Sequence, residues 1–74
     1  MYSYYDTTVL EAARKRWDEA TAAATERLHF VQWCMDHKAY NLVHIACAEH
    51  ALLLEAEKMA YEEYQLIFSV VFGL

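Results

Sequence analysis

Cys34-x-x-His37 and His44-x-x-Cys47 are the side chains in this sequence best suited to chemistry. Thiolate sulfur and neutral imidazole both ligate zinc, and two of each can close a tetrahedral site. A spacing of three places each pair on one helical face. The pairs flank the segment Asp36-His37-Lys38-Ala39-Tyr40-Asn41 almost symmetrically, so a chain that folds back there sets Cys34 opposite Ile45, near His44 and Cys47. Two features oppose a metal. His44 belongs to a polar stripe and Cys34 to an apolar one, and the tight turn in which zinc motifs gather their cysteines is missing. A buried cysteine acting as a small hydrophobe is favoured over zinc. A Cys34–Cys47 disulfide is the third alternative and requires an oxidising compartment. No cofactor is expected.

Other groups do less for catalysis. Glu26-x-x-His29 matches the Glu-x-x-His element of di-iron helix bundles, and Glu49 would supply a second carboxylate. Those ligands must project into a core, whereas Glu26 and His29 fall on the polar side of their helix. Ser3 and Ser69 have no neighbouring base, and a chain with a single glycine cannot build a glycine-rich phosphate cradle. No catalytic residue is assigned, and the expectation is a protein that is not an enzyme.

Glu49 and Glu63 interrupt an otherwise apolar progression, after Ile45 and Met59 respectively. A carboxylate on an apolar face must find a partner or be neutralised. Arg27 or His50 can serve Glu49, and Arg16 can serve Glu63. These pairs set helix register, or else form a polar spot inside a partner-binding groove. Aromatic residues off the core stripes are the other lead: Phe30, Trp33 and Tyr40 near the middle of the chain, and Tyr61, Tyr64, Phe68 and Phe72 near its end. Aromatic rings dominate interface hot spots because they bury much area with few rotors. The expected partner-binding set is Phe30, Trp33, His37, Tyr40, His44, Glu49 and Glu63.

The elements that must position these residues are helices. There is no proline, and the only glycine is Gly73; both residues disfavour helix interiors. Thr8-Val9-Leu10-Glu11 reads as a capping box. Beyond it Leu10, Ala13, Trp17, Ala20, Ala24, Leu28, Val31 and Met35 mark one helical face, opposite Glu11, Lys15, Asp18, Ala22, His29, Gln32 and Asp36. In the second half Leu42, Ile45, Leu52, Ala56, Met59, Leu66 and Val70 form one stripe. Ala46, Leu53, Ala60 and Ile67 form a parallel one, and His44, Glu55, Lys58, Glu62, Gln65 and Ser69 lie outside. An apolar arc this wide points to contact with more than one neighbouring helix. His37 and Lys38 suit a helix C-terminus and Asn41 a helix N-cap. The expected architecture is all-α: an antiparallel hairpin in one domain, with an arm at 1–7, helices at 8–37 and 42–72, and a hinge at 38–41. Fold-back at Ala39 and Tyr40 sets Arg16 against Glu63 and Glu19 near Lys58. The alternative, one uninterrupted rod, is disfavoured because the heptad pattern drifts.

Size and composition then limit function. Of 74 residues, 58% are hydrophobic, above the usual 45–50% or so. Two isolated helices cannot bury that much surface, so the expectation is a homodimer forming a four-helix bundle, or a protein partner. The net charge of −5 disfavours nucleic acid, whose phosphates attract Lys and Arg. Leu66 to Phe72 is too short to span a bilayer. The start of the chain lacks the basic and apolar regions of a signal peptide, and a cytoplasmic location is expected. Tyr2, Tyr4 and Tyr5 are expected to pack on the bundle. Together these point to a small regulatory adaptor or inhibitor that binds and blocks or redirects another protein, in the manner of small acidic helical proteins of bacteria and phages. The alternatives are a zinc-binding bundle on Cys34, His37, His44 and Cys47, and a structural subunit of a larger assembly.

Overall fold

A computed structural model describes residues 7–73. Two helices make up nearly all of it: α1, Thr7–Asp36, and α2, Tyr40–Phe72. They pack side by side as an all-α antiparallel hairpin measuring 59 × 14 × 13 Å. Neither helix contains proline or glycine, so each runs unbroken for some thirty residues, roughly 45–50 Å at 1.5 Å per residue.

The turn is short and is closed by backbone bonds. The Ala39 N–H donates to the Cys34 carbonyl at 2.8 Å, and the Lys38 N–H donates to the Met35 carbonyl at 3.2 Å. This is the bond pair of a Schellman closure, which requires a left-handed residue just past the helix. Lys38 fills that place at φ 57°, where glycine is preferred because it has no Cβ to clash. At the far end Gly73 does take the left-handed cap, at φ 69°, and donates its N–H to the Ser69 carbonyl.

This closure corrects the expected boundaries. The chain reverses at 37–39 rather than 38–41. Asn41 sits in the first turn of α2 instead of capping it. Ala39 holds the cap position and offers no side-chain bond. Thr8 stands inside α1, not before it. The tyrosine arm, Tyr2, Tyr4 and Tyr5, lies outside the described residues.

With Thr21, Ala23, Phe68 and Ser69 beside them, most of the residues shielded between the helices follow an alternation of three and four. On α1 they are Leu10, Ala13, Trp17, Ala20, Ala24, Arg27, Val31 and Cys34; on α2, Val43, Ala46, His50, Leu53, Glu57, Ala60, Tyr64, Ile67 and Val71. That is the heptad seam of a coiled coil, so the expected drift does not occur. The fold-back is nonetheless as expected, and Arg16 meets Glu63 at 2.9 Å. Glu19 and Lys58 form no ion pair among the described residues.

The seam is lined by small side chains. Ala13, Ala24, Val31, Cys34 and Ala46 are the buried residues among those described. Alanine lets two helices approach closely, but burying its methyl group stabilises by only about 1 kcal/mol. Close approach also excludes the larger neighbours. Leu28 and Met35, expected inside, are exposed. Of the two parallel apolar stripes of α2, one is exposed as well, with Ile45 at 60%, Leu52 at 72%, Met59 at 63% and Leu66 at 68%. It is the other stripe, Ala46, Leu53, Ala60 and Ile67, that faces α1.

Replacing Lys38 with glycine should relieve the left-handed strain and raise the unfolding free energy by about 1 kcal/mol. At fixed protein concentration the urea midpoint should rise with an unchanged slope. A lower midpoint would mean that the Lys38 side chain stabilises the turn by more than its backbone strain costs.

Candidate interaction surface

Two aromatic groups lie at opposite ends of the hairpin. Near the turn, Trp33 is stacked between Phe30 and His37. Its ring lies 6.0 Å from Phe30 with an interplanar angle of 7°, and 4.2 Å from His37 at 21°. Phe30 and Trp33 are spaced by three on α1, and His37 follows four residues on, just past the helix end, where its N–H still donates to the Trp33 carbonyl at 3.0 Å and keeps it in line. His37 is held further by Nδ1, 2.9 Å from the Trp33 carbonyl oxygen. Trp33 remains 48% exposed and Tyr40, which opens α2, 61% exposed. His44 is also exposed, four residues along from Tyr40.

The second group closes the open end. Trp17 contacts Tyr61 at 4.8 Å and Tyr64 at 5.4 Å, Tyr64 reaches Phe68 at 6.0 Å, and Phe68 reaches Phe72 at 4.6 Å. The Arg14 guanidinium covers Trp17 at 4.9 Å and Tyr64 at 5.8 Å, adding cation–π attraction. Hydrogen bonds to Asp18 and then to Tyr64 hold Arg14 above its ordinary pKa. Within this group Trp17, Tyr64 and Phe68 are half-buried, while Tyr61 and Phe72 stay exposed, as Phe30, Trp33 and Tyr40 do near the turn.

Between the two ends, both glutamates have found their arginines. Arg27 Nη1 lies 3.2 Å from Glu49 Oε1, and its guanidinium also covers Phe30 at 5.3 Å. Arg16 Nε donates to Glu63 Oε1 at 2.9 Å. Neither carboxylate is buried; the Glu49 and Glu63 side chains are each about half exposed. Such pairs contribute about 0–1 kcal/mol. Their geometric effect is larger: each arginine draws its glutamate toward α1 and off the outer face of α2. Beside Arg27 and Phe30 lies an open groove of about 430 Å³, with Ala23, Glu26 and Leu53 completing its lining.

The structure thus gathers Phe30, Trp33 and His37 into one stack, with Glu49 linked to it through Arg27. Tyr40 and His44 lie at the same end on α2. Glu63 does not belong to this group, being two heptads from Glu49, roughly 21 Å along the helix. The four zinc candidates are not assembled: no group of three or more metal-ligating side chains occurs among the described residues. Cys34 lies buried in the seam and Cys47 is exposed. Glu26 and His29 are exposed on the outside of α1.

Two features went unread in the sequence. Thr21 Oγ1 donates to Glu57 Oε2 at 2.7 Å inside the seam, a polar layer that helps fix register. Glu57 carried no signal except its heptad position. The other is which of the two apolar stripes of α2 faces α1: the row Ile45, Leu52, Met59 and Leu66 stays outside, and its repeat of seven residues is the available clue.

No helix among the described residues is long and apolar enough to cross a membrane. No protein-family model, curated protein or solved structure matches this chain.

The two cysteines should differ sharply toward a thiol reagent such as Ellman's. One thiol, Cys47, is expected to react at once, and Cys34 only as the hairpin unfolds in denaturant. Two fast thiols in the native protein would contradict the burial of Cys34.

Proposed function

We propose that this chain is a non-catalytic protein-binding module, a small regulatory adaptor or inhibitor that acts as a homodimer and blocks or redirects a second protein. One observation carries this: five residues are buried in the hairpin, while fifteen large hydrophobic side chains of the described residues are more than a third exposed. Apolar surface left open in continuous patches marks places where protein surfaces meet. The open side chains have a spatial order. Aliphatic residues run the length of α2, and the exposed rings of Phe30, Trp33 and Tyr40 gather near the turn. A long aliphatic row suits a helix–helix seam, and a small ring cluster beside a charged pair suits a hot spot. Self-association is therefore placed on α2, and target capture on the Phe30–Trp33–His37 stack with Tyr40.

A structural subunit of a larger assembly is the second possibility. It draws on a further exposed set, Leu28, Met35 and Leu54, lying across the seam from the α2 row by heptad position. Two apolar sides permit open-ended growth. Light scattering coupled to size exclusion separates the two: a discrete dimer fits the adaptor, and growing oligomers fit the subunit.

The target-binding assignment is tested by affinity capture from the native host with Trp33→Ala and Tyr40→Ala as controls. The wild-type chain should retain one protein at near-equal stoichiometry. Each variant should retain at least about tenfold less while keeping its helicity, since aromatic anchors dominate such contacts. Equal capture by both variants would exclude the turn-end rings as the binding face.

A further inference from the structure

We infer that the outer face of α2 is a second, complete heptad seam whose occupant is the α2 of another copy, running antiparallel. This rests on the binding-module proposal above and identifies the partner of its α2 face.

The seam consists of Leu42, Ile45, Glu49, Leu52, Ala56, Met59, Glu63, Leu66 and Val70. Its steps alternate three and four without a break, as they do on the face turned toward α1. The six large aliphatic members are all more than a third exposed: Leu42, Ile45, Leu52, Met59, Leu66 and Val70. One helix thus carries two coiled-coil seams, and only one is filled within the chain.

Three observations identify the occupant. The first is symmetry. About Ala56 the row reads alike in both directions: Leu52 answers Met59, Glu49 answers Glu63, Ile45 answers Leu66 and Leu42 answers Val70. A face with this pattern is complementary to itself after a half-turn, which an isologous twofold contact requires. The second is length. From Leu42 to Val70 the row extends roughly 42 Å, so a helix as long as α2 is needed to cover it. The third is area. Six aliphatic side chains at roughly 100 Å² each supply about 600 Å² of apolar surface per chain. With the flanking residues this approaches the ~800 Å² per partner of a stable interface.

The order of the row, which reads alike about Ala56, and the helix dipoles set the direction. In a parallel pair in register, like positions meet, and Glu49 would face Glu49 of the other copy and Glu63 its own counterpart. Like charges so placed repel. In an antiparallel pair centred on Ala56, Glu49 meets Glu63 of the other copy, so both directions bring carboxylates together and charge does not separate them. The ion pairs with Arg27 and Arg16 already draw those carboxylates aside. Ala56 at the centre meets its own counterpart, and two small side chains there let the helices approach. Antiparallel α2 helices also oppose their dipoles. The Phe30–Trp33–His37 stacks then lie at opposite ends of a four-helix assembly, each beside an end of the shared seam.

The test uses sedimentation and a distance measurement. The wild-type chain should sediment as a dimer at micromolar concentration, and Leu52→Glu or Met59→Glu should weaken the dimer by more than about thirtyfold, as for an interface hot spot. Both variants should keep their helicity at concentrations where they remain associated and lose it only as the dimer dissociates, because the two side chains are exposed in the hairpin. Leu54→Glu, an exposed apolar position of α2 outside this row, serves as the control and should leave the dimer intact. For direction, a nitroxide at Asn41→Cys in a Cys47→Ser background, with buried Cys34 left unlabelled, reports the separation between copies. Antiparallel packing about Ala56 puts the labels about 45 Å apart, while parallel packing puts them within roughly 15 Å. A short distance, a monomeric wild type, or a dimer indifferent to Leu52→Glu would each overturn the inference. A monomer that still captures its target through Trp33 would remove the homodimer and leave target binding standing, and a dimer that captures nothing would refute target binding alone.

Discussion

The close approach of two helices through alanine governs this structure. Ala13, Ala24 and Ala46 are buried where α1 meets α2, with Val31 and Cys34 beside them toward the turn. Small side chains let the backbones come near each other, and a narrow seam has no room for leucine or methionine on its flanks. The large aliphatic residues are therefore displaced outward by the packing that holds the hairpin together. What stabilises the fold and what leaves α2 unsatisfied have one cause.

That arrangement yields little stability. Methyl groups contribute little transfer free energy, and the ion pairs on the flanks are exposed. Polar side chains, Arg27, His50 and Glu57, occupy part of the seam, and the Thr21–Glu57 bond gives one such layer a defined geometry. Such layers favour register over strength. The reversal is strained too, with a lysine in a conformation suited to glycine. A hairpin of this kind has a well-specified alignment and a small energetic margin, the combination in which association contributes most to the folded state.

Much of the fold was legible because the sequence lacks proline and interior glycine, and because Arg16 and Glu63 stand at matching distances from one reversal point. The turn was less legible. Glycine ordinarily marks a Schellman closure, and Lys38 gives no such signal, so the boundary was drawn toward Asn41, a residue with cap chemistry that lies inside α2. The orientation of α2 was hidden for a different reason. Two apolar stripes run along it, and hydrophobicity alone points the larger one, Ile45, Leu52, Met59 and Leu66, inward. Close packing chooses the stripe with alanines instead. Of the candidate site, the Phe30–Trp33–His37 alignment and the Arg27–Glu49 pair followed from spacing and charge. The distance of Glu63 from that cluster follows only once the axial positions are laid out.

The central claim is that the isolated hairpin is incomplete and that protein surface covering α2 supplies the missing stability. Thermal unfolding followed by circular dichroism across a hundredfold range of protein concentration tests this most directly. The account predicts a midpoint that rises with concentration, as mass action requires when association accompanies folding. A midpoint that stays constant while the protein remains monomeric and fully helical at the lowest concentration would contradict it.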